Sequence, residues 1–196
     1  MFAEIRSALR PAIVMLAMFT LLLGIAYPLV ITGVAQLVLP AQAGGSLISG
    51  GGHITGSALI GQSFTQDRYV HGRPSTAGAG YDASASAASN LAPNAKDLAD
   101  RISGDVASLR ASGLTGNIPT DLVTTSASGL DPDISPEAAL VQAARIAAAR
   151  GMDAVRVRQV VKDATDYPLF GLIGEPRVNV LQLNRQLDAL SANTVQ

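Results

Sequence analysis

The chain has 196 residues, 14 basic and 15 acidic, a formal net charge of −1, and neither cysteine nor tryptophan. No run of basic residues points to nucleic acid or to an anionic lipid surface. Without cysteine there are no disulfides, thiol nucleophiles or thiolate metal sites, so a folded domain must hold by packing alone.

Residues 1–10 are a short tail with Arg6 and Arg10 against Glu4. Pro11 to Leu39 follows, an apolar stretch without Asp, Glu, Lys or Arg. As a helix this is about 43 Å long at about 1.5 Å per residue, enough to cross a hydrocarbon core of about 30 Å. A helix also satisfies its own backbone groups, as lipid requires. Pro28, which has no N–H, is expected to kink it; the alternative is that Tyr27 beside it marks the outer interface, where aromatic residues collect. Ala41-Gln42-Ala43 offers a competing reading as a signal cleavage site, but the apolar stretch is about twice a signal core of about 7 to 15 residues. The reading is therefore an anchor over 11–39. The next basic residue after Arg10 is Arg68. The positive-inside rule thus predicts a cytoplasmic N-terminus and an exterior remainder. Gly24 and Gly33 lie among Leu, Ile and Val and predict close packing against a partner helix.

Residues 40–56 are rich in glycine and serine and read as a flexible tether. The P-loop alternative fails because no Lys-Ser/Thr follows the glycines. Residues 57–196 suffice for one domain with its own core. Leu59, Ile60, Phe64, Tyr69 and Val70 predict two short strands within 57–74. Thr76 to Pro93 is a long irregular loop. Asn94 is expected to cap a helix to Ala111 with Leu98, Ile102, Val106 and Leu109 on one face. Ile118 to Thr125 reads as a strand. Ser135 caps, and Pro136 opens, a helix that runs to Arg150 and stops at Gly151. Gln142 and Arg145 fall at neighbouring surface positions on it. Asp153 caps the next helix, with Val157, Val160 and Val161 inward, and Tyr167-Pro168 ends it. A last helix covers about Val178 to Leu190, with Val180, Leu183, Leu187 and Leu190 inward. These elements give an α+β extracytoplasmic domain anchored by one N-terminal transmembrane helix.

Little of this points to chemistry. His53 and His71 lack a second ligand at metal spacing, so no metal site is expected. Ser126, His71 and Asp131 can be written as a triad, but no GxSxG turn accompanies them. Three glutamates in the chain leave little for paired-carboxylate catalysis. No catalytic residue is assigned. Arg145 and Arg150 read as a solvated helix face, although such a pair in isolation suits phosphate.

Six segments carry a resemblance: GSALIGQSF (Gly56 to Phe64), YVHGRPS (Tyr69 to Ser75), SNL (Ser89 to Leu91), DLVTTSASGLDPDISPEAA (Asp121 to Ala139), ARIAAARG (Ala144 to Gly151) and GEPRVNVLQLN (Gly174 to Asn184). With them the chain resembles, over nearly its whole length, the C-subunit family of the bacterial Kdp potassium-transporting P-type ATPases. Ala87 and Ala88 depart from it, since the family typically has glycine at both, and alanine disfavours positive φ. The resemblance implies a non-catalytic inner-membrane subunit of an ATP-driven potassium uptake complex. Its partners would be a potassium-channel-like subunit, a P-type ATPase subunit and membrane lipid, with no nucleic acid. The family is described as a catalytic chaperone that raises the pump subunit's affinity for ATP. ATP and potassium would act through the complex; this chain lacks a Walker motif, binds no cofactor of its own on this reading, and offers no identifiable nucleotide-binding residues. The motif positions carried over, with structural or interface roles, are Gly72, Arg73, Pro74, Ser75, Ser89, Asn90, Leu91, Asp121, Ser126, Ser128, Gly129, Leu130, Asp131, Pro132, Ser135, Pro136, Arg145, Arg150, Gly151, Gly174, Pro176, Val178, Asn179 and Asn184. Two other classes stay open on the residues alone: a membrane-anchored extracytoplasmic hydrolase and a secreted binding protein.

Overall fold

The computed structural model describes residues 2–168, 171 and 173–193. The chain divides into two units, Met1–Leu47 and Ile48–Gln196.

In the first unit, α1 (Phe2–Leu21), a π-helical turn (Leu22–Ala26) and α2 (Tyr27–Val38) run on without a break. Within them Ala3–Val38 is long and apolar enough to cross a membrane. The helix starts at Phe2 rather than Pro11. Good helix formers such as Ala3, Glu4, Arg6, Ala8 and Leu9 precede Pro11 and carry the helix through it. The π turn has a local cause. Pro28 has no N–H, and its ring crowds the carbonyl four residues back, so the ladder widens. Tyr27 N–H reaches Leu22 O as a result. The short α3 (Pro40–Ala43) follows.

The second unit departs from the sequence reading at its start. Where composition reads as a tether, β1 (Leu47–Gly50) and β2 (His53–Ser57) pair as a hairpin. Gly51 and Gly52 both take positive φ. They form the two-residue turn that such a hairpin requires. Arg185 Nη2 donates to Ser49 O at 2.8 Å and ties the hairpin to the last helix.

Residues 58–74 form no strand. α4 (Lys96–Ala111) starts from Ala95 without a side-chain cap, so Asn94 is not its cap; the first-turn acid is Asp97. Its predicted apolar face, Leu98, Ile102, Val106 and Leu109, is half-buried. The expected strand at 118–125 is a 3₁₀ turn (Thr120–Leu122) instead. Pro119 cannot donate to a sheet ladder. Its carbonyl accepts Leu122 N–H at 3.1 Å.

Asp133–Ile134 (β3), Thr165–Asp166 (β4) and Arg177–Asn179 (β5) form an antiparallel sheet of order β3-β5-β4, in which Val178 pairs with both Ile134 and Thr165. The predicted helix over 135–150 is two helices, α5 (Pro136–Leu140) and α6 (Ala143–Arg150). Ser135 caps the first, accepting from Ala138 N–H at 3.2 Å. Gly151 ends the second in the left-handed region. α7 (Ala154–Asp163) is capped by Asp153, as the sequence reads. α8 (Val180–Asn193) begins directly after β5, because Val178 and Asn179 belong to the sheet. Ile146 from α6, Val157 and Val161 from α7, and Leu183 and Leu187 from α8 are fully buried together with Val178 of the sheet. Each of the larger ones contributes about 1.5 to 3 kcal/mol by leaving water.

Candidate functional site

The motif residues converge on one strip, residues 66–75, and on the loops that hold it. After a turn at 66–69 the strip runs on without pairing to any strand. Two buried amides take the place of a neighbouring strand. Asn184, 1% exposed, accepts Val70 N–H at 2.7 Å and donates to Val70 O at 3.0 Å. Gln142, 2% exposed, accepts His71 N–H at 2.9 Å and donates to His71 O at 3.0 Å. Its remaining capacity is filled by Ala138 O and Arg145 Nη2. Each amide thus offers both a donor and an acceptor to a single residue's backbone, as a neighbouring strand would. The interruption between α5 and α6 falls at Gln142 and directs this amide inward.

Two arginines complete the clamp. Arg145 donates to Asp67 O at 2.6 Å and to Tyr69 O at 3.1 Å. Arg150, with no exposed side-chain surface, donates through Nε to Arg68 O at 2.7 Å and through Nη2 to Asp188 at 2.9 Å. Its guanidinium lies 5.3 Å from the Tyr69 ring centre, and Tyr69 OH donates to the other Asp188 oxygen. These arginines are therefore neither a solvated face nor a phosphate site. Backbone carbonyls hold each planar fork, together with Gln142 for the first and Asp188 for the second. Lysine cannot reproduce that geometry.

His71 sits in the clamp, with Nε2 3.1 Å from Gln66 O and 3.5 Å from Arg145 Nη1. Burial, and then the Arg145 charge, hold its pKa below the usual 6.5. As pH falls, the unfolded chain takes this proton before the folded one does. The His71 contribution is therefore complete above about pH 6.5 and is lost as pH falls through the folded value. Urea unfolding of the full chain at about pH 7.5 and about pH 5.5 should show a steeper loss for the wild type than for His71→Gln; equal slopes would contradict this.

Beyond Gly72 the strip enters a polar cleft of about 370 Å³ between the loop at 121–135 and β5. Arg73 donates to Asp131 at 3.2 Å and to Thr124 O at 3.3 Å, with Asp121 3.9 Å away. Asp131 accepts Asp133 N–H, and Asp121 accepts Ser135 N–H, so both carboxylates shape the turn before α5. Asp133 is held by Asn179 and Arg177; burial nevertheless raises its pKa above the usual value. Tyr81 OH donates to Arg73 O at 2.6 Å, and its pKa is pushed up to about 12, by burial first and by Asp131 second. Ser75 Oγ donates to Gly129 O and accepts from Ala77 and Tyr81 N–H.

The predicted positions thus divide. Asn184, Arg145 and Arg150 hold the strip; Arg73, Ser75, Asp121, Asp131, Ser135 and Asn179 build the cleft and the loops around it. Gly151 and Pro136 end and open helices, and Val178 and Leu130 are buried. Ser126, Ser128 and Pro132 line a second shallow groove with Leu59 and Ser86. Ser89 and Leu91 are half-buried, and Asn90 is exposed with a positive φ. Gly72 and Pro74 are half-buried on the strip, and Gly174 and Pro176 are exposed in the turn before β5. Ala87 and Ala88 avoid positive φ, so the departure from the family's glycines costs the loop no strain. The sequence reading missed Gln142 as a buried anchor, and missed Tyr81, Asp133 and Asp188. No local signal separates a buried glutamine from a surface one. Ser126, His71 and Asp131 do not form a relay: Ser126 faces Ser128, His71 faces Gln66 and Arg145, and Asp131 holds Arg73. Among the described residues no cluster of His, Asp or Glu fits a metal ion.

The fold and site define a module with one membrane-length helix, in which the most specific motif residues serve internal architecture. The family model for the c chain of K+-transporting ATPases (KdpC) matches residues 9–189. The chain is 55% identical over 193 residues to a potassium-transporting ATPase KdpC subunit of Rhodopseudomonas palustris (strain BisB18), covering 92% of this chain and 97% of the relative. It is 56% identical over 184 residues to that of Caulobacter vibrioides (strain NA1000 / CB15N), covering 93% of each. It is 56% identical over 188 residues to that of Gemmatimonas aurantiaca, covering 95% of this chain and 94% of the relative. The chain belongs to the KdpC family of K+-transporting ATPase subunits.

Proposed function

We propose that this chain is the non-catalytic, membrane-anchored subunit of an ATP-driven potassium uptake complex, required for assembly and activity of the pump. The helix over Ala3–Val38 crosses the inner membrane, the N-terminus is cytoplasmic and residues 48–196 are extracytoplasmic. The observation that carries the reading is the match to the KdpC family over residues 9–189; the engagement of Arg73, Arg145, Arg150, Asp131 and Asn184 in holding the fold suits a scaffold. Arg6 and Arg10 on the short flank support the orientation. The partners are the potassium-channel-like and P-type subunits. ATP and potassium act through them, and any rise in the pump's ATP affinity is transmitted indirectly, because the nucleotide lies on the other side of the membrane. Removing the chain from the purified complex should raise the ATP concentration needed for half-maximal hydrolysis; an unchanged ATP dependence would end the chaperone reading. Protease added to spheroplasts should digest residues beyond Gly44 without membrane rupture, and digestion only after rupture would reverse the topology.

The helix is more than an anchor on this reading. A Cβ at Gly33 meets nothing within 4 Å, and one at Gly24 meets only Thr20 Cγ2 at 4.0 Å. Leucine at either position therefore leaves the helix itself undisturbed. Gly24→Leu and Gly33→Leu are expected to insert normally and to weaken co-purification of the complex, by about tenfold if one close helix contact is lost. Full recovery of the complex with both variants would reduce the helix to a tether.

A further inference from the structure

The sequence holds no run of basic residues, but the fold isolates a group of them. Residues 48–196 contain 12 basic and 14 acidic side chains, the chain's totals of 14 and 15 less Arg6, Arg10 and Glu4. Nine of the basic ones are tied internally: Arg68 and Arg150 meet Asp188, Arg177 meets Asp133, and the others find carboxylates or carbonyls in the same way. Among the described residues, the three that meet no partner are Arg156, Arg158 and Lys162. All three are exposed and all three lie on α7.

Helical spacing puts Val155, Arg158 and Lys162 on one stripe, one turn apart, with Arg156 about 100° round the helix on its other flank. The opposite face of α7, Val157, Val160 and Val161, is buried and fixes this stripe outward. Val155 is 66% exposed at its start. Asp163 accepts from Gln159 and Asp153 caps Val155 N–H, both neutral donors, so both carboxylates keep their charge; helical spacing puts them on Arg156's flank and off the stripe of Val155, Arg158 and Lys162. Two cations without an ion pair, Arg158 and Lys162, beside an exposed valine thus form a stripe free of acids on a unit whose other charged residues number ten basic and 14 acidic. A surface of this kind suits a contact that is anionic and accepts an apolar side chain at its boundary.

We propose that this face of α7 docks residues 48–196 on the anionic phospholipid headgroups of the bilayer that the chain's own helix crosses. The inference rests on the anchor reading above. Only Leu39 to Ser46 separate α2 from β1, and half of that segment is helical in α3. Even fully extended it reaches about 28 Å at about 3.5 Å per residue. Beyond a Debye length of about 10 Å the attraction is screened, which makes contact, rather than long-range steering, the relevant state.

The chain has no cysteine, so Val155→Cys provides a single labelling site. The full-length protein carrying a fluorophore there would be incorporated into nanodiscs of phosphatidylcholine alone or with phosphatidylglycerol, each containing headgroup-quencher lipid. Quenching is expected to be about twofold or more stronger in the anionic discs, and to be lost at high salt and in Arg156→Gln/Arg158→Gln/Lys162→Gln. A label at exposed Ser112→Cys controls for non-specific proximity and is expected to be insensitive to lipid charge. Equal quenching in both lipids, or none, from chains that did incorporate overturns the docking proposal. Failure to incorporate at all would instead overturn the anchor reading. If the triple variant lowers potassium uptake without any lipid-dependent quenching, the face meets an acidic protein surface and the proposal fails.

Discussion

Asn184→Leu should destabilise residues 48–196 by about 3 kcal/mol, and the loss should be visible first at Val70. Leucine keeps the branching of asparagine and is somewhat larger, so no cavity opens. The cost comes from the strip: Val70 N–H and Val70 O lose the partners they hold at 2.7 and 3.0 Å, in a buried region. An unpaired buried backbone group costs about 1 to 3 kcal/mol, and two are created here. Native-state hydrogen exchange at the Val70 amide should speed up by about 100-fold, the equivalent of about 3 kcal/mol. Leu183→Ala provides the contrast. Leu183 is also fully buried. Its truncation costs about 2 to 5 kcal/mol through a cavity. It leaves Val70 hydrogen-bonded, so exchange at Val70 should rise only as much as at other core amides, whereas in Asn184→Leu it should rise more than theirs. If Asn184→Leu behaves like Leu183→Ala at Val70, the amide is filling space and not replacing a strand. Gln142→Leu is the equivalent change at His71, with Arg145 losing a partner besides.

Gly129→Ala is expected to cost about as much by a different route. Gly129 has a positive φ, and a Cβ there would lie 2.7 Å from Ala87 O and 2.8 Å from Ala77 N. Both are backbone atoms of the loop that Ser75, Thr76 and Ser128 tie down, so neither yields without breaking those bonds. The left-handed conformation costs about 1 kcal/mol for alanine, and the overpacking about 1 to 3 kcal/mol more. Gly151→Ala isolates the first of these contributions. Its φ is almost the same, and a Cβ there meets nothing within 4 Å. Chemical denaturation should give about 1 kcal/mol for Gly151→Ala and about 3 kcal/mol for Gly129→Ala. Equal losses would mean that the loop at 76–89 moves aside, and that the turn around Asp131 is less tightly coupled to the strip than its bonds imply.

These two sites also show where sequence reasoning reached and where it stopped. Local rules placed what depends on local chemistry. Ser135, Asp153 and Gly151 bound their helices as read, because a cap uses neighbouring backbone groups. The inward faces of α7 and α8 followed from helical spacing, and the membrane-length helix followed from uninterrupted apolar composition. The hairpin at 47–57 has a local signal too, Gly51-Gly52 between two short β-forming runs, but glycine-rich composition reads as a tether just as readily. The family resemblance identified the motif residues without assigning their tasks.

By itself, then, the sequence determined the membrane-length helix, the α+β class, the helix boundaries set by caps, and the family. Tertiary structure alone decided how the strip at 66–75 is held, because its partners Gln142, Arg145, Arg150 and Asn184 lie 71 to 114 positions further along the chain. It also decided which charges remain free. Arg150 and Arg158 look alike in the sequence, each an arginine on a helix. The first is enclosed by Tyr69, Arg68 O and Asp188, and the second faces outward. Burial and pairing are properties of what the rest of the chain brings alongside a residue, and no local pattern encodes the distances over which this fold does so.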